Sequence, residues 1–135
     1  MKNIIRWAGL LIIKGKKVLM TKEKNKDFYM LPGGRLEEGE SLGEALMREA
    51  YEELGTGVSI EDISLYEIYE LPGKAEGDLM EFNVYEAKLK GNFEAKGEIE
   101  DIRWVNTKDV KRGVKIGSIT SMKLFPQLKK EKLID

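Results

Sequence analysis

Apolar positions run almost unbroken from Ile4 to Ile13 and resume at Val18 beyond Gly15-Lys16, ending at Thr21, which predicts a β-hairpin with a short turn. Lys22 to Asp27 alternates charge and reads as a loop. The apolar run Phe28-Tyr29-Met30-Leu31 is stopped by Pro32-Gly33-Gly34, whose glycines permit a loop with close backbone approach. Ser41 then precedes a segment of helical period with Glu44 three residues on, a capping-box arrangement, and Gly55 and Gly57 stop it; the helix is predicted over Leu42 to Leu54. Val58 to Glu70 and Leu79 to Leu89 read as strands rich in Ile, Tyr, Val and Phe, joined by a loop from Pro72-Gly73 to Gly77, and Ile102 to Val105 as a further short strand. Ser118 to Leu133 has a helical composition that Pro126 would interrupt or restart. Strands on both sides of a central helix, with a second helix at the end, predict a mixed α/β layer fold rather than an all-β barrel. With no repeat, low-complexity stretch or linker, residues 1–135 read as a single domain.

Composition narrows the chemistry more than the fold. The 135 residues, 41% of them hydrophobic, suffice for one closed core. Lys plus Arg at 23 against Asp plus Glu at 24 leaves a net charge of -1, so no global basic field exists to hold duplex nucleic acid. The sequence has no His and no Cys, which excludes Ser-His-Asp and Cys-His nucleophiles, His- or Cys-based zinc sites and disulfides. Whatever chemistry remains uses carboxylates and other oxygen ligands. Absence of Cys fits a reducing compartment. Met1 to Ile13 has a basic start, but the apolar run from Trp7 is too short to span a bilayer and ends in Lys14-Gly15-Lys16-Lys17. It reads as a buried strand, with no membrane partner, in a cytoplasmic protein.

The predicted helix carries its acids in an unusual place. With Leu42 at zero on a wheel of about 100° per residue, Leu46, Ala50 and Leu54 form a stripe from roughly 40° to roughly 120°. On the same wheel Glu53 falls at roughly 20°, Glu49 at roughly 340° and Glu52 near 280°, so carboxylates run along the edge of the apolar face. Glu49 and Glu53 are also a like-charge i, i+4 pair, unfavourable even when exposed and more so when desolvated. Arg48 can offset part of this by pairing with Glu52. Three carboxylates converging at one end of a helix are the oxygen donors that Mg²⁺ or Mn²⁺ prefers; a solvated acidic face is the alternative.

From Gly34 the sequence reads Gly34, five residues, Glu40, seven residues, then Arg48-Glu49-Ala50-Tyr51-Glu52-Glu53-Leu54-Gly55. This resembles the Nudix box, the signature of the MutT-like hydrolases, with every charged and glycine position filled. The departure is Thr56, where the family usually has an aliphatic residue. The resemblance implies a Nudix fold, an α/β mixed β-sheet sandwiched between α-helices. It also implies Mg²⁺- or Mn²⁺-dependent hydrolysis of a nucleoside diphosphate linked to another group. Charge neutralisation on transferring phosphoryl oxygens is what carboxylate-held metals provide. By the same resemblance Glu49 and Glu53 are metal ligands, Glu52 a ligand or orienting group, and the Gly34 carbonyl completes the shell. Arg48 orients the glutamates by ion pairing, and Glu40 pins the loop or reaches a metal through water.

The family often draws one more carboxylate from a loop before a Trp-containing strand, which implies Glu98, with Glu100 the alternate. The general base is then Glu53, Glu98 or a hydroxide ion on the metal. Lys22 stands where MutT-like proteins often carry a phosphate contact. Phe28, Tyr29, Tyr66, Tyr69 and Phe82 offer faces on which a base can stack, and Asn83 could read a base edge. The first expectation is a pyrophosphohydrolase releasing the monophosphate and pyrophosphate from a nucleoside triphosphate, standard or oxidised. ADP-ribose or dinucleoside polyphosphate cleavage and a non-catalytic nucleotide-binding module are the alternatives. The partner is a small-molecule nucleotide; a homodimer stays open.

Overall fold

A computed structural model describes residues 3–135, so Met1 and Lys2, where the basic start was expected, lie outside the described residues. Strands β1 (Ile4–Leu11), β2 (Ile13–Lys14), β3 (Lys17–Glu23) and β4 (Gly33–Arg35) precede helix α1 (Leu42–Leu54). Strands β5 (Val58–Pro72), β6 (Leu79–Gly91) and β7 (Ile99–Val105) follow, then α2 (Thr107–Lys111), a π-helical turn at Thr120–Leu124 and α3 (Phe125–Lys130). A four-stranded mixed sheet has the order β4-β1-β6-β5, with β1 and β6 parallel. A three-stranded antiparallel sheet has the order β2-β3-β7. The expected sandwich of strands between helices is present, built from two sheets rather than one.

The hairpin expectation needs correcting in one respect. The turn at Gly15-Lys16 joins β2 to β3, but the apolar run breaks at Ile12, and β1 belongs to the other sheet. Uniform hydrophobicity hides such a break, because a strand buried on both faces has no alternation to lose. Leu10 and Ile12 join Leu46, Ala50 and Leu54 of α1 in one core cluster, whereas Leu11 meets Val84, Leu124 and Leu128 in the other. The strands therefore form a layer apolar on both sides, clamped between α1 and the C-terminal helices.

Helix α1 has the predicted bounds. Ser41 accepts from the Glu44 N–H, Glu44 reaches back to the Ser41 N–H, and Gly55 ends the helix at φ 92°. The C-terminal segment is less regular than its composition suggests. Pro126 lacks the N–H that would continue the helical ladder, and the turn before it widens to π spacing. Helix α2 was not predicted. Its signal is Asn106 followed three residues on by Asp109, a reciprocal cap with bonds of 3.0 and 2.9 Å.

The Asp109 carboxylate also meets Lys17 at 3.1 Å. Burial works against its charge, but the Asn106 N–H and Lys17 outweigh burial and hold its pKa below the usual value. A depressed carboxylate contributes stability above its unfolded pKa and loses it as pH falls through the folded one. Asp109→Ala is expected to cost about 1 kcal/mol near neutral pH, and the gap to wild type in thermal melts should close at acid pH. No helix among the described residues is long and apolar enough to cross a membrane.

Candidate active site

The Pro32-Gly33-Gly34 stretch becomes β4, which pairs antiparallel with β1 through Gly9↔Gly33, Ala8↔Gly34 and Trp7↔Arg35. This pairing brings Gly33 and Gly34 against the inner edge of α1. A Cβ on Gly34 would stand 2.7 Å from the Glu49 carboxyl carbon, so the glycine leaves the space that the Glu49 head occupies. Beside it the Gly33 N–H donates to Glu53 Oε2 at 2.9 Å. The close approach expected of the glycines thus serves the two carboxylates nearest the buried stripe.

Arg48 organises the outer half. Its Nε donates to Glu40 Oε2 at 2.7 Å and its Nη2 to Glu40 Oε1 at 3.0 Å, a two-pronged pairing that the planar guanidinium favours. Its Nη1 donates to Glu49 Oε1 at 2.8 Å. The pairing with Glu52 expected from sequence is the weaker one, at 3.4 Å, because Glu52 is 58% exposed. Glu40 in turn accepts from the Glu37 N–H at 2.9 Å and so fixes the loop ahead of α1. Arg48 holds the Glu40 carboxyl below the ordinary glutamate range, with the Glu37 N–H adding to the effect.

Inward the balance reverses. Burial raises the Glu49 pKa although Arg48 opposes it. Glu53 is pushed up to about 8, chiefly by burial; the Gly33 N–H pulls the other way, and the charges of Glu49, Glu23 and Glu52 add to the rise. Negative charge is therefore crowded around a half-buried carboxyl that a single backbone donor only partly satisfies. Glu23, at the end of β3, was missed by sequence reading. It lies outside the box and its charged loop resembles any solvated stretch; the folded chain brings its charge to bear on Glu53.

The carboxylates do not converge as expected. Among the described residues no three acidic side chains stand close enough together to hold an ion, since Arg48 draws Glu49 aside and Glu52 faces outward. The donor set nonetheless fits a hard divalent cation: carboxylates, no competing soft ligand, uncompensated charge at Glu53, and a glycine where a side chain would intrude. Glu49, Glu52 and Glu53, with the Gly34 carbonyl, are the residues that could hold it.

The segment from Asn92 to Glu98 closes the C-terminal end of α1. The Glu94 N–H donates to the Leu54 carbonyl and the Lys96 N–H to the Glu53 carbonyl, both at 3.1 Å, satisfying two of the helix's last carbonyls. Glu98 follows directly, and its own carbonyl accepts from the Lys24 N–H at 2.8 Å. Glu98 is thus carried beside α1, while the alternate Glu100 is bound to Lys22. Lys22 also donates to the Lys26 carbonyl at 3.0 Å, so its ammonium is engaged on both sides.

Three of the candidate rings are held in place through their hydroxyl groups. Tyr29 bonds Asp101, Tyr66 bonds Glu131 and Tyr69 bonds Gln127. Asn83 is buried and donates to the Trp7 carbonyl and to Glu81, which ties strands together rather than reading a base. Phe82 packs toward Gly9 and Leu31. Phe28 carries the Lys26 ammonium 5.7 Å over its ring centroid and, with Met30, Val114 and Ile116, lines an open groove of about 650 Å³ that begins two residues before Pro32.

The family model for the NUDIX domain matches residues 5–125. The 8-oxo-dGDP phosphatase NUDT18 of Danio rerio is 45% identical over 58 residues, 40% of this chain and 18% of that protein. The NAD-capped RNA hydrolase of Schizosaccharomyces pombe is 34% identical over 89 residues, 66% of this chain and 23% of that protein. The chain thus matches about a fifth of the length of these curated relatives. Among solved structures, MutT from work on Aliivibrio salmonicida and Vibrio cholerae superposes with a TM-score of 0.75 at 19% identity, covering 96% of this chain and 99% of that one. This last likeness shows the fold.

Proposed function

Because the chain belongs to the Nudix family, we propose that it hydrolyses a phosphoanhydride bond of a nucleoside diphosphate derivative with a divalent cation, Mg²⁺ or Mn²⁺. The favoured substrate is a nucleoside triphosphate, standard or oxidised, which water cleaves to the monophosphate and pyrophosphate. The observation that carries the reading is the crowding of Glu49 and Glu53 against Gly33 and Gly34, with Arg48 bracing Glu49 from outside. A protein that only bound nucleotide would gain nothing from burying like charges there. The 8-oxo-dGDP named for the Danio rerio relative supports including oxidised nucleotides among the substrates.

When bound, the cation supplies charge neutralisation on the phosphate oxygens. The chain's residues supply the rest. Glu49, Glu52 and Glu53 and the Gly34 carbonyl are its ligands, and Arg48 and Glu40 fix Glu49 and the loop before α1. Glu53 or Glu98 takes the proton from the attacking water. Lys22 contacts phosphate after exchanging Glu100 for it, and the groove at Phe28 and Met30 receives the nucleoside. Incubation with a panel of triphosphates, sugar nucleotides, ADP-ribose and dinucleoside polyphosphates is expected to give Mg²⁺-dependent cleavage of a triphosphate, abolished by chelation. Inactivity towards the whole panel with both Mg²⁺ and Mn²⁺ would reduce the protein to a binding module.

A further inference from the structure

The turn after β3 sets a cation between the carboxylate site and the groove at Phe28. Three bonds hold this turn: the Lys26 N–H donates to the Glu23 carbonyl at 3.1 Å, the Lys24 N–H to the Glu98 carbonyl at 2.8 Å, and the Lys22 ammonium to the Lys26 carbonyl at 3.0 Å. Glu23 stands opposite Ile99 in the β3–β7 register, and the segment just before Ile99 meets the last turn of α1 where the Lys96 N–H donates to the Glu53 carbonyl. On this side the Glu23 charge reaches Glu53. On the other side Phe28 lines the groove.

Lys26 spans the two. Its Nζ lies 3.0 Å from Glu23 Oε2 and 5.7 Å from the centroid of the Phe28 ring, within reach of a cation–π contact. The Lys26 side chain is 36% exposed, so the ammonium covers the half-buried ring from its solvent side. A base stacking on Phe28 needs that same face, and ammonium and base cannot both hold it. The ammonium is not held tightly. An ion pair as open as Lys26–Glu23 is worth little, and a phosphate, with more charge than a carboxylate and three acceptor oxygens, displaces it.

Resting on the reading that this groove receives the nucleoside, we propose that Lys26 couples recognition of phosphate to recognition of the base. The phosphate joined to the nucleoside lies between groove and carboxylates, where it draws the ammonium off Glu23 and Phe28, and the ring face so uncovered takes the base. A nucleoside without phosphate has to displace the cation unaided. The protein therefore discriminates against it twice, by the missing charge and by the covered ring, and loss of Lys26 removes both effects together.

The test is a titration, under chelation, of protein carrying isotopically labelled phenylalanine rings with nucleoside monophosphates and the matching nucleosides, followed at Phe28. Chelation takes hydrolysis out of the measurement. Wild type is expected to bind a monophosphate well ahead of its nucleoside. In Lys26→Ala the monophosphate should bind more weakly and the nucleoside more tightly, so that the ratio of the two affinities falls at least about fivefold, the lower end of couplings between sites. Lys26→Arg, which keeps a cation able to lie over the ring, should restore most of the ratio. An unchanged ratio in Lys26→Ala would overturn the proposal. So would a nucleoside affinity that stays the same or falls, since Lys26 would then be a phosphate contact and nothing more. Absence of any shift at Phe28 would remove the nucleoside from the groove and the coupling with it, whereas shifts at Phe28 without the change in ratio would sink the coupling alone.

Discussion

Glu53→Gln is expected to lower metal-dependent turnover by at least about 10²-fold, the loss that follows removal of one electrostatic group from a reacting centre. The substitution keeps size and shape and removes only the charge, so the Gly33 N–H still finds an oxygen acceptor. Its effect on stability should have the opposite sign. Burial, with the neighbouring carboxylates, pushes Glu53 up to about 8 in the folded chain, well above its value in the unfolded chain. A carboxyl raised in this way costs stability progressively as pH climbs from the unfolded pKa to the folded one. In chelated protein the variant should therefore melt above wild type at pH 9 and together with it near pH 4. Added Mg²⁺ should raise the melting temperature of wild type more than that of the variant. Unchanged turnover would remove Glu53 from the chemistry, and a variant melting below wild type at pH 9 would contradict the crowding of charge at this position.

Wherever short-range physics decides the outcome, the sequence was legible. Helix α1 begins at a reciprocal cap and ends at a glycine, both local devices, and its bounds could be read from Ser41, Glu44 and Gly55. The placement of Glu53 beside the buried stripe followed from helical geometry alone. The break at Ile12 was not legible, because Leu11 and Ile12 are equally apolar and differ only in which cluster they enter. Arg48 was legible only in part: its pairing with Glu52 is present at 3.4 Å, but its closest partner was not. Helical spacing points it at Glu52, but Glu40 comes back from the preceding loop to offer a geometry that no i, i+4 pair can match. Glu23 lay beyond reach, since its effect on Glu53, thirty residues away in sequence, depends on tertiary packing and on no local pattern.

Gly33 and Gly34 are adjacent and differ in what surrounds them, and their alanine variants should separate fold from function. At Gly33 the backbone sits at φ +150°, and a Cβ would meet the Ala8 carbonyl oxygen and stand 2.8 Å from the Gly9 Cα. Backbone on both sides cannot yield without parting β4 from β1. The strained conformation alone costs roughly 1–3 kcal/mol, and with the steric clash Gly33→Ala should melt about 10 °C or more below wild type. At Gly34 the obstacle is the head of Glu49, the far end of a flexible side chain, and the backbone needs no glycine. Gly34→Ala should therefore fold and melt within a few degrees of wild type. It pushes Glu49 away from β4 and disturbs the contact with Arg48, so the displacement should show as loss of metal response. Turnover should fall roughly tenfold or more, the scale seen when groups supporting a metal ligand are removed, and half-activation should need more Mg²⁺. Equal activity in Gly34→Ala and wild type would mean that the Glu49 carboxylate does not have to occupy that space, and the reading of this cleft as a metal-dependent hydrolytic site would fail at its most specific point.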